Sequence, residues 1–217
     1  FVTVKQSHID HLLMEIRDSV NLSSPNWLFM QNGLGHLEAA AKVMDQTRIY
    51  CGVTTEAARR VDERTVLHTG SGQTRIGPAF RSAAKPVIGQ EKFLKNLCNQ
   101  MNAAGFCFSV SKNIHSDMWE KLLINAVINP LTGITGVHNG ELLASSELFK
   151  LMQLLFQEGK AVAEAERVVI AADLWQRLLS TCEQTAKNRS SMLQDIDQGR
   201  STEIDWINGS IIARAKQ

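Results

Sequence analysis

The stretch Trp119-Glu-Lys-Leu-Leu-Ile-Asn-Ala-Val-Ile-Asn-Pro130 decides how the rest of the chain is read. As a helix it is apolar almost all round, through Leu122, Leu123, Ile124, Ala126, Val127 and Ile128, and a helix of that kind is buried on most sides. Lys121, Asn125 and Asn129 nevertheless recur at i, i+4 and i+8, which stacks them in one polar stripe. A buried ammonium is costly unless it is paired or its pKa falls. A lysine with two amides on such a helix therefore points to a polar cleft that holds a small anionic or carbonyl ligand. The alternative is a surface helix whose solvated stripe is Lys/Asn/Asn. Pro130 closes the stretch, and because helices commonly stop before a proline the helix is expected over 114–128.

Working outward, the 217 residues suffice for one large or two modest domains. A hydrophobic share of 44% with 21% charged is that of an ordinary globular chain, so neither a disordered nor a fibrous class fits. The net charge of +1 and the lack of a basic run give no footing for nucleic-acid binding. No apolar run approaches the ~18 residues of a membrane span. Cys51, Cys98, Cys107 and Cys182 are widely spaced with no C-x-x-C pair, so they read as reduced thiols in a cytoplasmic protein, with neither a disulfide framework nor a metal site. Phe1-Val-Thr-Val4 has no signal-peptide pattern and reads as a strand already in progress, as though the sequence were cut from a longer chain.

From the start, Ile9, Leu12, Leu13, Ile16 and Val20 share one helical face, and Ser23-Ser-Pro-Asn26 reads as a loop. Trp27-Leu-Phe-Met30 is a buried strand ending in Gln31-Asn-Gly-Leu-Gly35, the strand–glycine turn–helix order of α/β folds. A helix over 37–44 and a strand over 48–55 follow. Thr65–Thr69 and Gln73–Ile76 flank Gly70-Ser-Gly72 as a hairpin, which has no helix opening after it and so is not a phosphate loop. Glu56-Ala-Ala-Arg-Arg60 reads as a short loop, and Lys5 closes the first strand. A helix over 91–104 ends at Gly105, and Phe106–Val110 is the last strand. Helices over 114–128, 145–172, 174–186 and 203–215 complete the chain. The expected organisation is an α/β domain of nucleotide-binding type over 1–112 and an all-α domain over 113–217.

Asn32 sits where open α/β sheets place ligands, at the carboxyl end of a parallel strand, though a plain tight turn has the same sequence. Glu203 reads as a first-turn carboxylate capped by Ser201 or Thr202, or else as a carboxylate near Lys121.

Taken together and in this order, these stretches resemble the ketopantoate reductase (2-dehydropantoate 2-reductase) family. The matching segments are 31–35, Gly52-Val-Thr-Thr-Glu-Ala-Ala-Arg-Arg60, Arg75-Ile-Gly77, 119–132, Asn139-Gly-Glu-Leu142, Ser190-Ser-Met-Leu-Gln-Asp195 and Thr202-Glu-Ile-Asp-Trp-Ile-Asn-Gly209. The resemblance implies an NADPH-dependent reduction of 2-dehydropantoate to (R)-pantoate, a step toward pantothenate and coenzyme A. It implies a Rossmann-type domain, its first strand–helix unit missing here, followed by a helical domain of the 6-phosphogluconate-dehydrogenase C-terminal type. The active site is expected in the cleft between the two domains.

By resemblance Lys121 is the proton donor. Asn32, Asn125, Asn129, Asn139 and Ser191 match substrate-binding positions, with Asn188 a looser match, and Lys5, Asn32, Ala58 and Glu203 match cofactor positions. A homodimer and a small keto acid are the implied partners. The family's glycine-rich fingerprint is expected upstream of Phe1, and His8 stands where the family often has Gln. Two other readings stay open: a related reductase of another small 2-keto or 3-hydroxy acid, and a non-catalytic helical dimerisation or ligand-binding module.

Overall fold

In the computed structural model, residues 1–19, 25–80 and 89–216 are described. Val20, and Ser23 with Ser24 of the expected loop, lie outside them. The chain divides into two units: one of Phe1–Gln31 with His36–Asp117, the other of Met118–Gln217 together with Asn32–Gly35.

The first unit opens on a single parallel bridge, Val2 to Phe29, so the expected first strand is reduced to one pairing and Lys5 lies beyond it. A one-turn 3-10 helix, Gln6–His8, leads into α1 (Ile9–Ser19), which buries Ile9 and Leu13. β1 (Trp27–Phe29), α2 (His36–Ala40) and β2 (Ile49–Thr54) follow, β1 and β2 pairing in parallel. Ile49, Tyr50, Cys51 and Gly52 are all buried, the continuous pattern of a strand covered on both faces. β3 (Ala57–Arg60), β4 (Val66–Gly70) and β5 (Thr74–Pro78) come next.

Two expectations change here. The Glu56–Arg60 segment forms a strand over most of its length, and β4 pairs antiparallel with β3, while β5 pairs antiparallel with β2. The glycines of 70–72 therefore do not turn a β4–β5 hairpin. A Cβ at Gly72 would lie 2.3 Å from the Thr55 carbonyl carbon, so the glycine lets the two chain segments pass where the β3–β4 excursion leaves the β2–β5 ladder. α3 (Gln90–Ala103) packs Leu94 and Cys98 with Leu28, Tyr50, Ile76 and Phe108, and Gly105 follows it with φ +90°. Each large apolar side chain buried there contributes ~1.5–3 kcal/mol. β6 (Phe108–Val110) completes a sheet of order β1-β2-β5-β6, parallel to β5.

The second unit is helical. α4 runs from Ile114 to Thr135 with Pro130 inside it, and its first turn belongs to the first unit. The expectation that the helix stops before Pro130 is therefore corrected. α5 (Glu141–Ala144), α6 (Ser146–Ala165), α7 (Leu174–Gln184), α8 (Ser191–Asp197) and α9 (Ile204–Ala215) follow. α6 lies close on α4, since a Cβ at Gly159 would meet Leu123 Cδ2 at 2.6 Å. α6 ends well before residue 172. Arg167 takes φ 59°, its N–H donates to Glu164 O and the Val168 N–H to Ala163 O, which is a Schellman ending built on a non-glycine residue.

Candidate active site

All the residues that sequence reading assigns to the substrate fall in the helical unit. α4 fixes Lys121, Asn125 and Asn129 on one stripe by its period. Burial deepens along it: Lys121 and Asn125 are half-buried and Asn129 is 5% exposed. The flanking Leu122, Leu123, Ala126 and Val127 are buried, so the stripe is the polar line of an otherwise core helix. Glu120, next to Lys121, serves the core: its carboxylate accepts from the Ala171 N–H at 3.1 Å and from Arg177 at 2.7 Å.

Two contacts gather further residues. Asn129 Nδ2 donates to Ser191 Oγ at 3.5 Å, and Asn32 Nδ2 donates to Glu203 Oε2 at 3.4 Å. Both are long, so an oxygen of a bound molecule can replace either at small cost. Ser191 begins α8, whose cap is Ser190: its Oγ accepts from the Leu193 N–H at 3.1 Å and lies 2.7 Å from Thr132 Oγ1 on α4. That pair holds the Ser191 hydroxyl beside Asn129. Glu203 is the N-cap residue of α9, and the Ile204 N–H goes to Thr202 Oγ1 at 3.4 Å, so the Glu203 carboxylate is directed to Asn32 while Thr202 serves the helix end.

The Asn32–Gly35 turn is tied to α9 through its backbone. The Leu34 N–H donates to Trp206 O at 3.1 Å, and Gly33, at φ +81°, passes so close that a Cβ there would lie 2.4 Å from that oxygen. Gly33 is thus required both by its backbone conformation and by the approach. This is what brings Asn32 to Glu203, 171 positions away.

Asn139, also in the helical unit, lies just before α5. It is 7% exposed, its N–H donates to Asn188 O at 3.1 Å and its Nδ2 to Thr185 Oγ1 at 2.9 Å, while its Oδ1 is buried with no hydrogen-bond partner among the described residues. Its visible work is to clamp the loop before α5 to the segment after α7. Lys5 and Ala58 belong to the first unit, both exposed: Lys5 just before the 3-10 helix, Ala58 on β3. Gln31 Nε2 donates to Val2 O at 3.0 Å and Val4 O at 2.9 Å, which fixes Lys5 near the carboxyl end of β1. Gln31 Oε1 is a buried acceptor with no hydrogen-bond partner among the described residues. An exposed ammonium at the carboxyl edge of parallel strands suits a phosphate-bearing dinucleotide. Among the described residues no cluster of three metal-ligating side chains exists, and no helix is long and apolar enough to cross a membrane.

Sequence reading overlooked Asn208. Its Nδ2 donates at 2.9 Å to Ala126 O, the carbonyl that Pro130 leaves without its helical donor. The apolar run that continues past Pro130 into Leu131 was the available signal.

The chain thus pairs an α/β sheet unit with a helical unit that carries the Lys/Asn/Asn stripe. Residues 1–80 match the family described as "Ketopantoate reductase PanE/ApbA", and residues 113–217 match its C-terminal family, "Ketopantoate reductase PanE/ApbA C terminal". The 2-dehydropantoate 2-reductase of Bacillus subtilis (strain 168) is 35% identical over 215 residues, covering 99% of this chain and 67% of that protein. Among solved structures, 2-dehydropantoate 2-reductase from Geobacter metallireducens GS-15 superposes with a TM-score of 0.87 at 25% identity, covering 99% of this chain and 69% of that one. D-mandelate dehydrogenase, in a ternary structure with NADH and anilino(oxo)acetate, gives a TM-score of 0.86 at 26% identity, covering 99% and 68%. The chain belongs to the ketopantoate reductase family. It spans about two thirds of the length of the curated relatives it matches.

Proposed function

We propose that the protein carrying this chain reduces 2-dehydropantoate to (R)-pantoate with NADPH, and that Lys121 is the proton donor. The observation that carries the reading is the Lys121/Asn125/Asn129 stripe on a buried helix, in a chain whose curated relatives are 2-dehydropantoate 2-reductases. Lys5 and Ala58 of the first unit, with Asn32 and Glu203, are the residues that would hold the cofactor. A bound reduced nicotinamide supplies the hydride.

The chain's own groups do the rest. As a hydride adds to the ketone carbon, the π pair moves onto oxygen, and the Lys121 ammonium stabilises that developing charge and gives up its proton to make the alcohol. General acid catalysis of this kind is worth ~10²–10⁴-fold. Asn125, Asn129 and the Ser191 hydroxyl orient the keto acid without adding a charge that competes with the ammonium. The long Asn129–Ser191 and Asn32–Glu203 contacts leave donors and acceptors ready for the substrate's oxygens. By resemblance Asn139 belongs to the substrate set as well.

The likeness to D-mandelate dehydrogenase supports a second reading, a related reductase of another 2-keto acid. A panel of 2-keto acids assayed by NADPH consumption with the full-length gene product separates them. The first reading predicts the highest kcat/KM for 2-dehydropantoate, and a higher value for an aryl 2-keto acid would replace it with the second.

A further inference from the structure

Pro130 sits within α4, where it can donate no hydrogen bond, and its ring pushes against the carbonyl four residues back. That carbonyl belongs to Ala126, between Asn125 and Asn129 of the stripe. It is not left unsatisfied: Asn208 of α9 donates its Nδ2 to it at 2.9 Å. The orientation of the amide follows from the acceptor, since turning it would set oxygen against oxygen. Asn208 Oδ1 is buried and among the described residues has no hydrogen-bond partner, so the side chain's hydrogen bond there is the one to Ala126.

We propose that Asn208 is a positioning residue of the active site: by replacing the donor that Pro130 removes, it sets the direction of α4 through the Lys121/Asn125/Asn129 stripe and locks α9 to it. Asn208 lies on the helix that Glu203 caps, so the lock also places that carboxylate in the helical unit. A second anchor works on the same stretch of α4, where Thr132 Oγ1 meets Ser190 Oγ and holds Ser191 beside Asn129. The α8 and α9 residues of the site are thus each registered on the helical turns around the proline. An uninterrupted helix would offer Asn208 no free carbonyl. The role rests on the reductase reading for its catalytic consequence, but not for the Asn208–Pro130 coupling itself.

The test is a double-mutant cycle of Asn208→Ala and Pro130→Ala in the full-length gene product, read by thermal unfolding and by steady-state kinetics, with Asn208→Gln as the conservative variant. Alanine at 130 restores the N–H that bonds Ala126 O, so Asn208→Ala then has little left to remove. In the wild-type background Asn208→Ala is expected to lower kcat at least tenfold while KM for NADPH stays within twofold. In the Pro130→Ala background the further loss is expected to stay under threefold, with the same contraction in the unfolding temperature change. Asn208→Gln, which keeps the donor, is expected to recover part of kcat. Equal losses in both backgrounds overturn the coupling, and loss of stability with kcat unchanged overturns the positioning role. If the unsubstituted protein turns over no keto acid, the reductase reading and the catalytic role fall with it, while additive unfolding temperatures would overturn the coupling independently.

Discussion

Gly33→Ala separates the two demands made on the Asn32–Gly35 turn. At φ +81° an L side chain is strained by ~1–2 kcal/mol. The added Cβ would also lie 2.4 Å from Trp206 O, and ordinary contact begins at 3.4 Å, so turn and helix must part by about 3.4 − 2.4 = 1.0 Å. That movement breaks the 3.1 Å Leu34 N–H bond to the same oxygen, worth ~1 kcal/mol. The sum is ~2–3 kcal/mol, or roughly 5–10 °C in unfolding temperature for a chain of this size. It also withdraws Asn32 from Glu203, and a ~1 Å misplacement near the reacting atoms lowers turnover by about 10²-fold. Gly105 supplies the control, because its φ is +90° but a Cβ there meets nothing within 4 Å. Gly105→Ala should show the strain alone, with kcat unchanged. Differential scanning calorimetry and NADPH-consumption kinetics on the two variants decide it. Equal losses of stability with unaltered turnover in both would refute the contact between the turn and α9.

Two other outcomes follow from single residues. Burial of His36 in the first unit lowers its pKa from 6.5 to about 4, so the folded protein holds it neutral where the unfolded chain binds a proton. Stability is therefore complete above pH 6.5 and falls as the pH drops toward 4, by up to ~3 kcal/mol. Unfolding measured between pH 7 and 4 should show this slope, and His36→Leu should flatten it. Arg167→Gly relieves the left-handed φ of 59° at the end of α6 and should raise stability by ~0.5–1 kcal/mol in urea titration; a loss would mean that the Arg167 side chain contributes more than its backbone strain removes.

What the sequence made legible is what a short window determines. The α4 stripe shows in the 3.6-residue period of Lys121, Asn125 and Asn129, and the buried β1 and β2 show in uninterrupted apolar runs. Most of the errors turn on partners far along the chain. A proline is read locally as a helix end, whereas α4 continues through Pro130 with Asn208 donating from 82 residues beyond the accepting Ala126. Glycines between two β-rich runs suggest a local hairpin, yet β4 and β5 take other partners, and Gly72 serves a close backbone crossing. α6 stops early because Arg167 adopts a conformation that only glycine or asparagine would have signalled. Glu203 and Asn32 had each been singled out, but no spacing rule pairs residues 171 positions apart. Their meeting depends on Gly33 lying against Trp206.

The central claim is that the α4 stripe delivers the proton in a ketone reduction, and kinetics of Lys121→Ala in the full-length gene product test it most directly. With 2-dehydropantoate and NADPH, kcat is expected to fall by ~10²–10⁴-fold, while the NADPH dissociation constant from fluorescence titration stays within threefold of the unsubstituted value. Equal losses in turnover and in NADPH affinity, or turnover that survives the substitution, would contradict the assignment of Lys121 as the proton donor.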